Sequence, residues 1–126
     1  MNKSQSYIPF EVLRVDVIEA WKDGQDTRGK GCPYYEVGDT FYIEQVALRK
    51  ENIQTQSGML CMAALADHIP FYRALLRGIT PMELGIATSD DPSCGYLRCH
   101  DPTGKRRLPV KSATIIFKVT PLPQRK

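Results

Sequence analysis

Four cysteines are the residues of this 126-residue chain with the widest choice of chemistry, and they are Cys32, Cys61, Cys94 and Cys99. No pair has the Cys-x-x-Cys spacing of a zinc ribbon or of a thioredoxin-like redox site. Distant cysteines can nevertheless meet in a fold, where they bind zinc tetrahedrally or hold an iron–sulfur cluster. A free cysteine also packs well as a small buried hydrophobe. Spacing alone leaves three roles open, namely a metal or cluster site, a reactive thiol and core packing, and it favours packing.

The two histidines, His68 and His100, are the next candidates. His68 ends the apolar face of a predicted helix, where a positive charge suits the helix C-terminus, so a structural role is favoured over catalysis. His100 and Asp101 have the residue types of a base and its orienting carboxylate, but neighbouring residues on a strand point to opposite faces. The chain contains no Gly-rich phosphate loop and no Ser-His-Asp order. The sequence therefore does not decide whether the protein is an enzyme.

Two further clusters have a simpler structural explanation than a binding site. Tyr34, Tyr35 and Tyr42 have the residue type of a pocket lining, but aromatic side chains near strands more often belong to the core. The basic run Lys105-Arg106-Arg107 lacks interleaved aromatic residues, and the net charge of the chain is only +3. Such a run is typical of a solvated loop, so nucleic-acid binding is disfavoured.

The composition, with 42% hydrophobic and 25% charged residues, is that of an ordinary globular protein. We expect one domain over residues 1–126, with flexible tails at 1–7 and 121–126. No apolar run approaches the length of a membrane-spanning helix, so no membrane partner is expected. Residues 1–6 lack the apolar segment of a secretory signal, which predicts a cytoplasmic location, reduced thiols and no structural disulfide. A homo-oligomer and a larger protein complex both stay open as the working state.

Local residue patterns predict four strands. Residues 10–20 are rich in β-branched residues and favour a strand, although their apolar positions also fit a helical stripe. Apolar and polar residues alternate over 40–44, which predicts a second strand after a turn at Val37-Gly38-Asp39, and this strand should pair with the first. Residues 96–99 and 113–120 give two more, and Pro121 and Pro123 should end the last one. Residues 23–34, 48–56 and 101–109 are predicted loops.

Helices are predicted in the middle of the chain. Ser57 should cap a helix whose apolar face contains Leu60, Cys61, Ala64, Leu65 and His68. Pro70 should break that helix or start a new one, which ends before Gly78. A capping box at Thr80-Pro81-Met82-Glu83 predicts a short third helix. The order strand, strand, helices, strand, strand predicts an α+β fold with a small, mainly antiparallel sheet and helices on one face.

Several motifs occur in an order that resembles a family of short, uncharacterised prokaryotic proteins. The resemblance covers residues 10–119, and its pieces are Cys32, Val37-Gly38-Asp39-x-Phe41, Ser57-Gly58-x-x-Cys61-x-Ala63-Ala64, Pro70, Leu76-x-Gly78, Cys99-x-Asp101-Pro102, Val110 and Phe117. This chain departs from the family pattern at His100, where the family has proline. It also has a longer loop at Lys105 to Arg107 and extra residues at 48–56.

The resemblance singles out Cys32, Cys61 and Cys99 and leaves Cys94 aside. It implies a shared cysteine site for zinc or an iron–sulfur cluster, in a small enzyme or an enzyme subunit. The alternative is a non-catalytic interaction or accessory subunit in which the cysteines are core packing. In that case a helical face or the basic loop contacts the partner.

Overall fold

The computed structural model describes residues 11–22, 25–26, 34–88, 90–100 and 113–122. Within these ranges the chain forms six strands, one α-helix and one 3-10 helix. They are β1 (Val12–Lys22), β2 (Gln25–Asp26), β3 (Thr40–Glu44), the 3-10 helix (Lys50–Asn52), β4 (Ile53–Gln54), α1 (Met62–Leu76), β5 (Gly95–His100) and β6 (Ala113–Leu122). The predicted α+β class with a small antiparallel sheet is confirmed. The described residues contain one α-helix, however, where two or three were expected.

All strand pairs in the sheet are antiparallel, in the order β4-β3-β1-β6-β5, and β2 pairs with the end of β1. The long strand β1 is central: Val12 to Asp16 pair with β3 on one side, and Val12 to Lys22 pair with β6 on the other. The pairing predicted between the first two long strands is thereby confirmed. The two residues of β2 fall inside a predicted loop, so the loop prediction is wrong at Gln25 and Asp26.

The turn before β3 depends on a glycine and a buried carboxylate. Gly38 has φ of 101°, a left-handed conformation that favours glycine. Its N–H donates to the Val17 carbonyl, and the Val17 N–H donates to the Asp39 carbonyl, at 3.0 and 2.9 Å. The Asp39 side chain is buried and accepts the backbone N–H of Glu36 and of Gln56. This carboxylate therefore ties the turn to the end of β4.

The helix α1 continues through Pro70, so the predicted break at this proline is wrong. A proline inside a helix costs about 3 kcal/mol. The turns on both sides of Pro70 bury side chains in one core, including Ala64 before it and Tyr72, Leu75 and Leu76 after it. Each fully buried large apolar side chain contributes roughly 1.5–3 kcal/mol, so packing outweighs the proline. The helix ends before Gly78, as predicted.

Two predicted helix starts do not begin helices. Ser57 precedes α1 by five positions, and its Oγ donates to the Tyr34 carbonyl and accepts the Met59 N–H within a turn; the N-cap residue is Cys61. Thr80 and Glu83 form the reciprocal hydrogen bonds of a capping box, yet residues 81–85 form only turns. Glycines at positive φ bracket this segment at Gly78 and Gly85, so it is too short to extend a helical nucleus.

Two peripheral segments are more ordered than the sequence suggests. The predicted surface excursion at 48–56 contains the 3-10 helix and β4, and Asn52 within it is fully buried and donates to Glu44 Oε2. At the other end, Pro121 and Leu122 belong to β6 and pair with Leu13 and Val12, although the sequence assigns them to a tail. The pairing between β5 and β6 starts at Val119, so Pro121 has no partner residue in β5. The missing N–H of Pro121 therefore costs no hydrogen bond to β5.

The core joins α1 to the sheet through one cluster of buried side chains. Its members are Leu13, Val15, Val17, Ala20, Tyr35, Phe41, Ala64, Tyr72, Leu75, Leu76, Leu97, Ile115, Phe117 and Val119. Three of the aromatic rings pack edge-on or stacked, and Tyr35 lies 5.1 Å from Phe117 between ring centroids. The predicted core role is confirmed for Tyr35 and Tyr42, which are buried, and is wrong for Tyr34, which is 38% exposed. Among the described residues, no helix combines the length and apolar character needed to cross a bilayer.

Candidate interaction groove and cysteine positions

The cysteines singled out by the sequence are only partly described. Cys32 lies outside the described residues. Cys61 directly precedes α1, and its backbone N–H donates to the Tyr35 hydroxyl at 2.9 Å. Cys99 lies in β5, and both Cys61 and Cys99 are half-buried and pack against the core cluster. Among the described residues, Cys61, Cys94 and Cys99 form no disulfide.

Cys94 occupies a different environment from the other two described cysteines. It lies just before β5, it is buried, and its sulfur is 3.5 Å from Thr120 Oγ1 and 3.9 Å from Ser93 Oγ. Across the ranges that the structure describes, no three His, Cys, Asp or Glu side chains form a group that could hold a metal ion. Convergence of Cys32 with Cys61 and Cys99 therefore stays a prediction.

His68 is a buried residue in the middle of α1, not at its C-terminal end, because the helix continues past Pro70. Its Nε2 lies 3.0 Å from the Arg98 carbonyl. A carbonyl only accepts, so Nε2 carries the proton, and Nδ1 is left to accept the Tyr72 hydroxyl at 3.5 Å. Burial lowers the pKa of His68. The hydrogen bond to the Arg98 carbonyl and the charge of Asp67 raise it by a smaller amount. The expectation of a structural role fits this geometry, but the imidazole is held neutral, contrary to the predicted positive charge.

The hydrogen bond from His68 satisfies a backbone carbonyl on the outer edge of β5. This strand is last in the sheet order, and its Tyr96 N–H donates to the Ile86 carbonyl while its Arg98 carbonyl accepts from His68. Exposed strand edges favour pairing with other chains, and proteins cover them. Both contacts occupy backbone groups on this edge. The site around His68 is therefore architectural.

Tyr72 connects this histidine to Cys99. Burial raises the pKa of Tyr72, and the nearby Tyr35 and Cys99 raise it further, so the phenol stays protonated. The hydroxyl is thus a hydrogen-bond donor to His68 and not a base. His100, the last residue of β5, pairs with Thr114 of β6. Asp101 and the run Lys105 to Arg107 lie outside the described residues.

A groove that opens to solvent among apolar side chains lies between β3 and α1. This groove has a volume of about 180 Å³. One wall is the end of β3 and the segment after it, and the other is a stripe of α1. The lining residues are Ile43, Glu44, Gln45, Val46, Ala47, Leu48, Leu65, Ile69, Tyr72, Arg73 and Leu76. A hydrogen bond of 2.9 Å from Gln45 Nε2 to the Leu76 carbonyl joins the two walls.

Several apolar side chains at the rim of this groove are open to solvent. Val46 is 95% exposed, and Leu48 and Ile69 are each 41% exposed. On the outward side of α1, Met62 is 77% exposed, and Ala66 and Pro70 are exposed as well. Single exposed hydrophobic residues are normal, but several of them around one concavity are typical of an interaction site.

Sequence reasoning missed the groove residues. A usable signal was present: Leu65, Ile69, Tyr72 and Leu76 recur at helical spacing, and they form a second apolar stripe once the helix is continued through Pro70. The apolar run Val46-Ala47-Leu48, at the start of a segment predicted as polar, was a second signal.

Comparison with known proteins found no matching family model, no matching curated protein and no matching solved structure. The resemblance to the cysteine-containing prokaryotic family stays a prediction.

Proposed function

We propose that this protein is a non-catalytic interaction or accessory subunit, and that it binds a partner protein through the groove between β3 and α1. The observation that carries the proposal is the exposure of Val46, Leu48 and Ile69 around one concave apolar surface. We infer also that α1 covers a single face of the sheet, because its buried side chains share one cluster with those of β1 and β6. The opposite side of the helix is then available to the partner.

The size of the groove favours a protein partner over a small molecule. Pockets for drug-sized ligands have volumes of roughly 300–1,000 Å³ and enclose most of the ligand. A groove of about 180 Å³ that is open to solvent holds one or two side chains. Protein interfaces use such pockets for a central anchor residue, around which flatter contacts exclude water.

The contact must extend beyond the groove to be stable. Full burial of an apolar side chain contributes roughly 1.5–3 kcal/mol, so Val46 gains most and the half-exposed Leu48 and Ile69 gain less. Association costs at least about 4 kcal/mol in lost freedom of motion, and standard interfaces bury roughly 800 Å² per partner. Met62, Ala66 and Pro70 on the outward face of α1 supply the adjoining area.

Site-specific photo-crosslinking in the cells that make the protein tests this proposal. A photo-reactive amino acid at position 46 should give a discrete adduct with one partner, and the adduct should disappear when Ile69→Glu is added. The same photo-reactive residue at position 98, an exposed site on the opposite edge strand β5, is the matched control and should not give that adduct. A second copy of this chain is a recognisable outcome, because the adduct mass then identifies a homo-oligomer. Equal crosslinking from positions 46 and 98 would exclude the groove as the binding surface.

A cysteine-centred site at Cys32, Cys61 and Cys99 is the second candidate. It is supported by the position of Cys61 and Cys99, which both lie half-buried against the same core cluster while Cys94 is bonded elsewhere. The family resemblance belongs to this proposal, as does a cytoplasmic location, where free thiols persist. Thiolates of all three residues would bind zinc or a cluster. Elemental analysis and an absorption spectrum of protein purified without oxygen test it, and protein free of zinc and iron would rule it out.

A further inference from the structure

We infer that the partner segment that enters the groove presents an acidic side chain beside its apolar anchor, and that this carboxylate pairs with Arg73. The inference rests on the proposed function and specifies its partner. It starts from the charges that face the groove, which are those of Glu44 on the β3 wall and Arg73 on the helix wall.

Glu44 is already compensated within the protein. One of its carboxylate oxygens, Oε2, forms an ion pair with Arg49 Nη2 at 2.5 Å and accepts a hydrogen bond from Asn52 Nδ2 at 3.2 Å. The hydrogen bond and charge of Glu44 raise the pKa of Arg49, and Glu51, whose Oε2 lies 3.3 Å from Arg49 Nη1, raises it further. Glu44 is therefore paired within the protein before any partner arrives, although Glu51 shares the same guanidinium.

Arg73 has no such compensation. It is exposed, and it forms no ion pair with any side chain in the described part of the protein. It lies one helical turn after Ile69, on the same stripe of α1, so its guanidinium stands at the edge of the apolar wall. The groove therefore carries one uncompensated positive charge at its rim.

A purely apolar partner would bury the charge of Arg73 without a counter-charge. Covering the groove removes water from the guanidinium, and burial of a charge without a partner is costly. A carboxylate from the partner restores the lost hydration and can bond the planar guanidinium through both of its oxygens. The net charge of +3 on the whole chain favours the approach of an acidic partner as well.

The spacing of Ile69 and Arg73 also predicts the pattern in the partner. Side chains one turn apart on a helix lie about 5–6 Å from each other. An extended partner segment matches this separation with residues two positions apart, and a helical segment matches it with residues three or four positions apart. We therefore expect Asp or Glu at that spacing from Leu, Ile or Phe.

Selection of random linear peptides displayed on phage, against the full-length chain, tests this inference. Peptides selected on the wild type should be enriched in an acidic residue near an apolar one. Selection on Arg73→Glu should lose that enrichment and replace the acidic residue with Lys or Arg. Arg98→Glu is the matched control, because it makes the same charge change at an exposed residue of β5, and it should select the wild-type pattern.

The affinities of one selected peptide for the wild type and the variants measure how much the ion pair with Arg73 contributes to binding. Arg73→Gln should weaken binding about two- to fivefold, as expected for loss of a solvent-exposed ion pair, and the wild-type affinity should fall as salt is added. Ile69→Glu should abolish binding of the same peptide. Apolar peptides with no acidic preference, bound equally by the wild type and Arg73→Glu but not by Ile69→Glu, would overturn this inference and leave the proposed function standing. Peptides that bind regardless of Ile69 would overturn both.

Discussion

Asp39 shows how one buried side chain can hold several segments together. Its two carboxylate oxygens accept the backbone N–H groups of Glu36 and Gln56 at 2.8 and 3.1 Å, in a site where Asp39 itself is buried. A carboxylate that accepts backbone N–H groups forms charge-assisted bonds, which are about twice as strong as neutral ones. The sequence predicted a turn here, but it did not indicate that the aspartate also reaches the end of β4.

We expect Asp39→Ala to lower the free energy of unfolding by about 1–3 kcal/mol, because two backbone donors lose their acceptor. Asp39→Asn keeps one acceptor oxygen and should cost less than Asp39→Ala. Urea denaturation measures both, with Asp90→Ala at an exposed position as the control. Equal stability of Asp39→Ala and the control would contradict the assigned role.

His68 makes the stability of the protein depend on pH in a definite direction. Its pKa in the folded protein is lowered, mainly by burial, from a value of 6.5. Below 6.5 the unfolded chain therefore binds a proton that the folded state resists. The contribution of neutral His68 to the free energy of unfolding is fully present above pH 6.5. It is lost as the pH falls from 6.5 toward the lowered pKa. The free energy of unfolding should decrease with pH in that window.

His68→Gln should flatten this dependence, because the amide of Gln can donate to the Arg98 carbonyl but does not titrate in this window. Urea denaturation on either side of pH 6.5 measures the slope for both proteins. The pKa of Asp91 is lowered from 3.8, first by the hydrogen bond from Ser93, so its titration does not overlap this window. An unchanged slope in His68→Gln would show that another group is responsible.

At the scale of secondary structure, strands were more predictable than helices. Alternation predicted β3 and β6, as in Ile115, Phe117 and Val119, where every second residue is buried, and β-branched residues predicted β1. Helix boundaries depend on tertiary contacts that a local pattern does not contain. The capping box at Thr80 and Glu83 forms its hydrogen bonds, but no helix follows it. The helix α1 continues through Pro70, where a break was predicted. Packing outweighs the proline in α1, whereas Gly78 and Gly85 at positive φ keep the segment after Thr80 too short for a helix.

Pro70 is a position where the protein tolerates a local cost. Its side chain is exposed and does not line the groove, while its ring prevents one backbone hydrogen bond of α1. We expect Pro70→Ala to raise the free energy of unfolding by about 1–3 kcal/mol. The gain is reduced because the unfolded chain becomes more flexible without proline. Thermal and urea denaturation measure the change, and a loss of stability would mean that the proline is needed for the helix geometry.

The groove itself is a product of two elements that are distant in sequence. Its walls come from residues 43–48 and from a stripe of α1, and only the folded chain places them together. The apolar face predicted for this helix is correct in part: Ala64 and His68 are buried, but Leu60 and Cys61 precede α1. It could not predict that the stripe through Ile69 and Arg73 lacks a covering segment in the described residues, because coverage depends on where other segments lie.

At the scale of the whole molecule, the two proposed functions differ in what they demand of Cys61. If Cys61 only packs, Cys61→Ala should cost about 1 kcal/mol, and a chelator should leave the melting temperature unchanged. If Cys61 binds a metal with Cys32 and Cys99, loss of metal becomes loss of folding stability. Metal content and melting temperature should then fall together in Cys61→Ala. Cys94→Ala is the control, since it removes a buried thiol outside the predicted site.

The central claim is that residues 43–48 and α1 form one protein-binding surface. Amide hydrogen exchange of the full chain, measured with and without the partner captured through position 46, tests it most directly. Binding should slow exchange in peptides that cover 43–48 and 62–76, because the interface excludes water from exactly the walls that form the groove. Peptides that cover 90–100 in β5 should exchange at the same rate in both samples. Slowed exchange in β5 with no change in the groove segments would contradict the account.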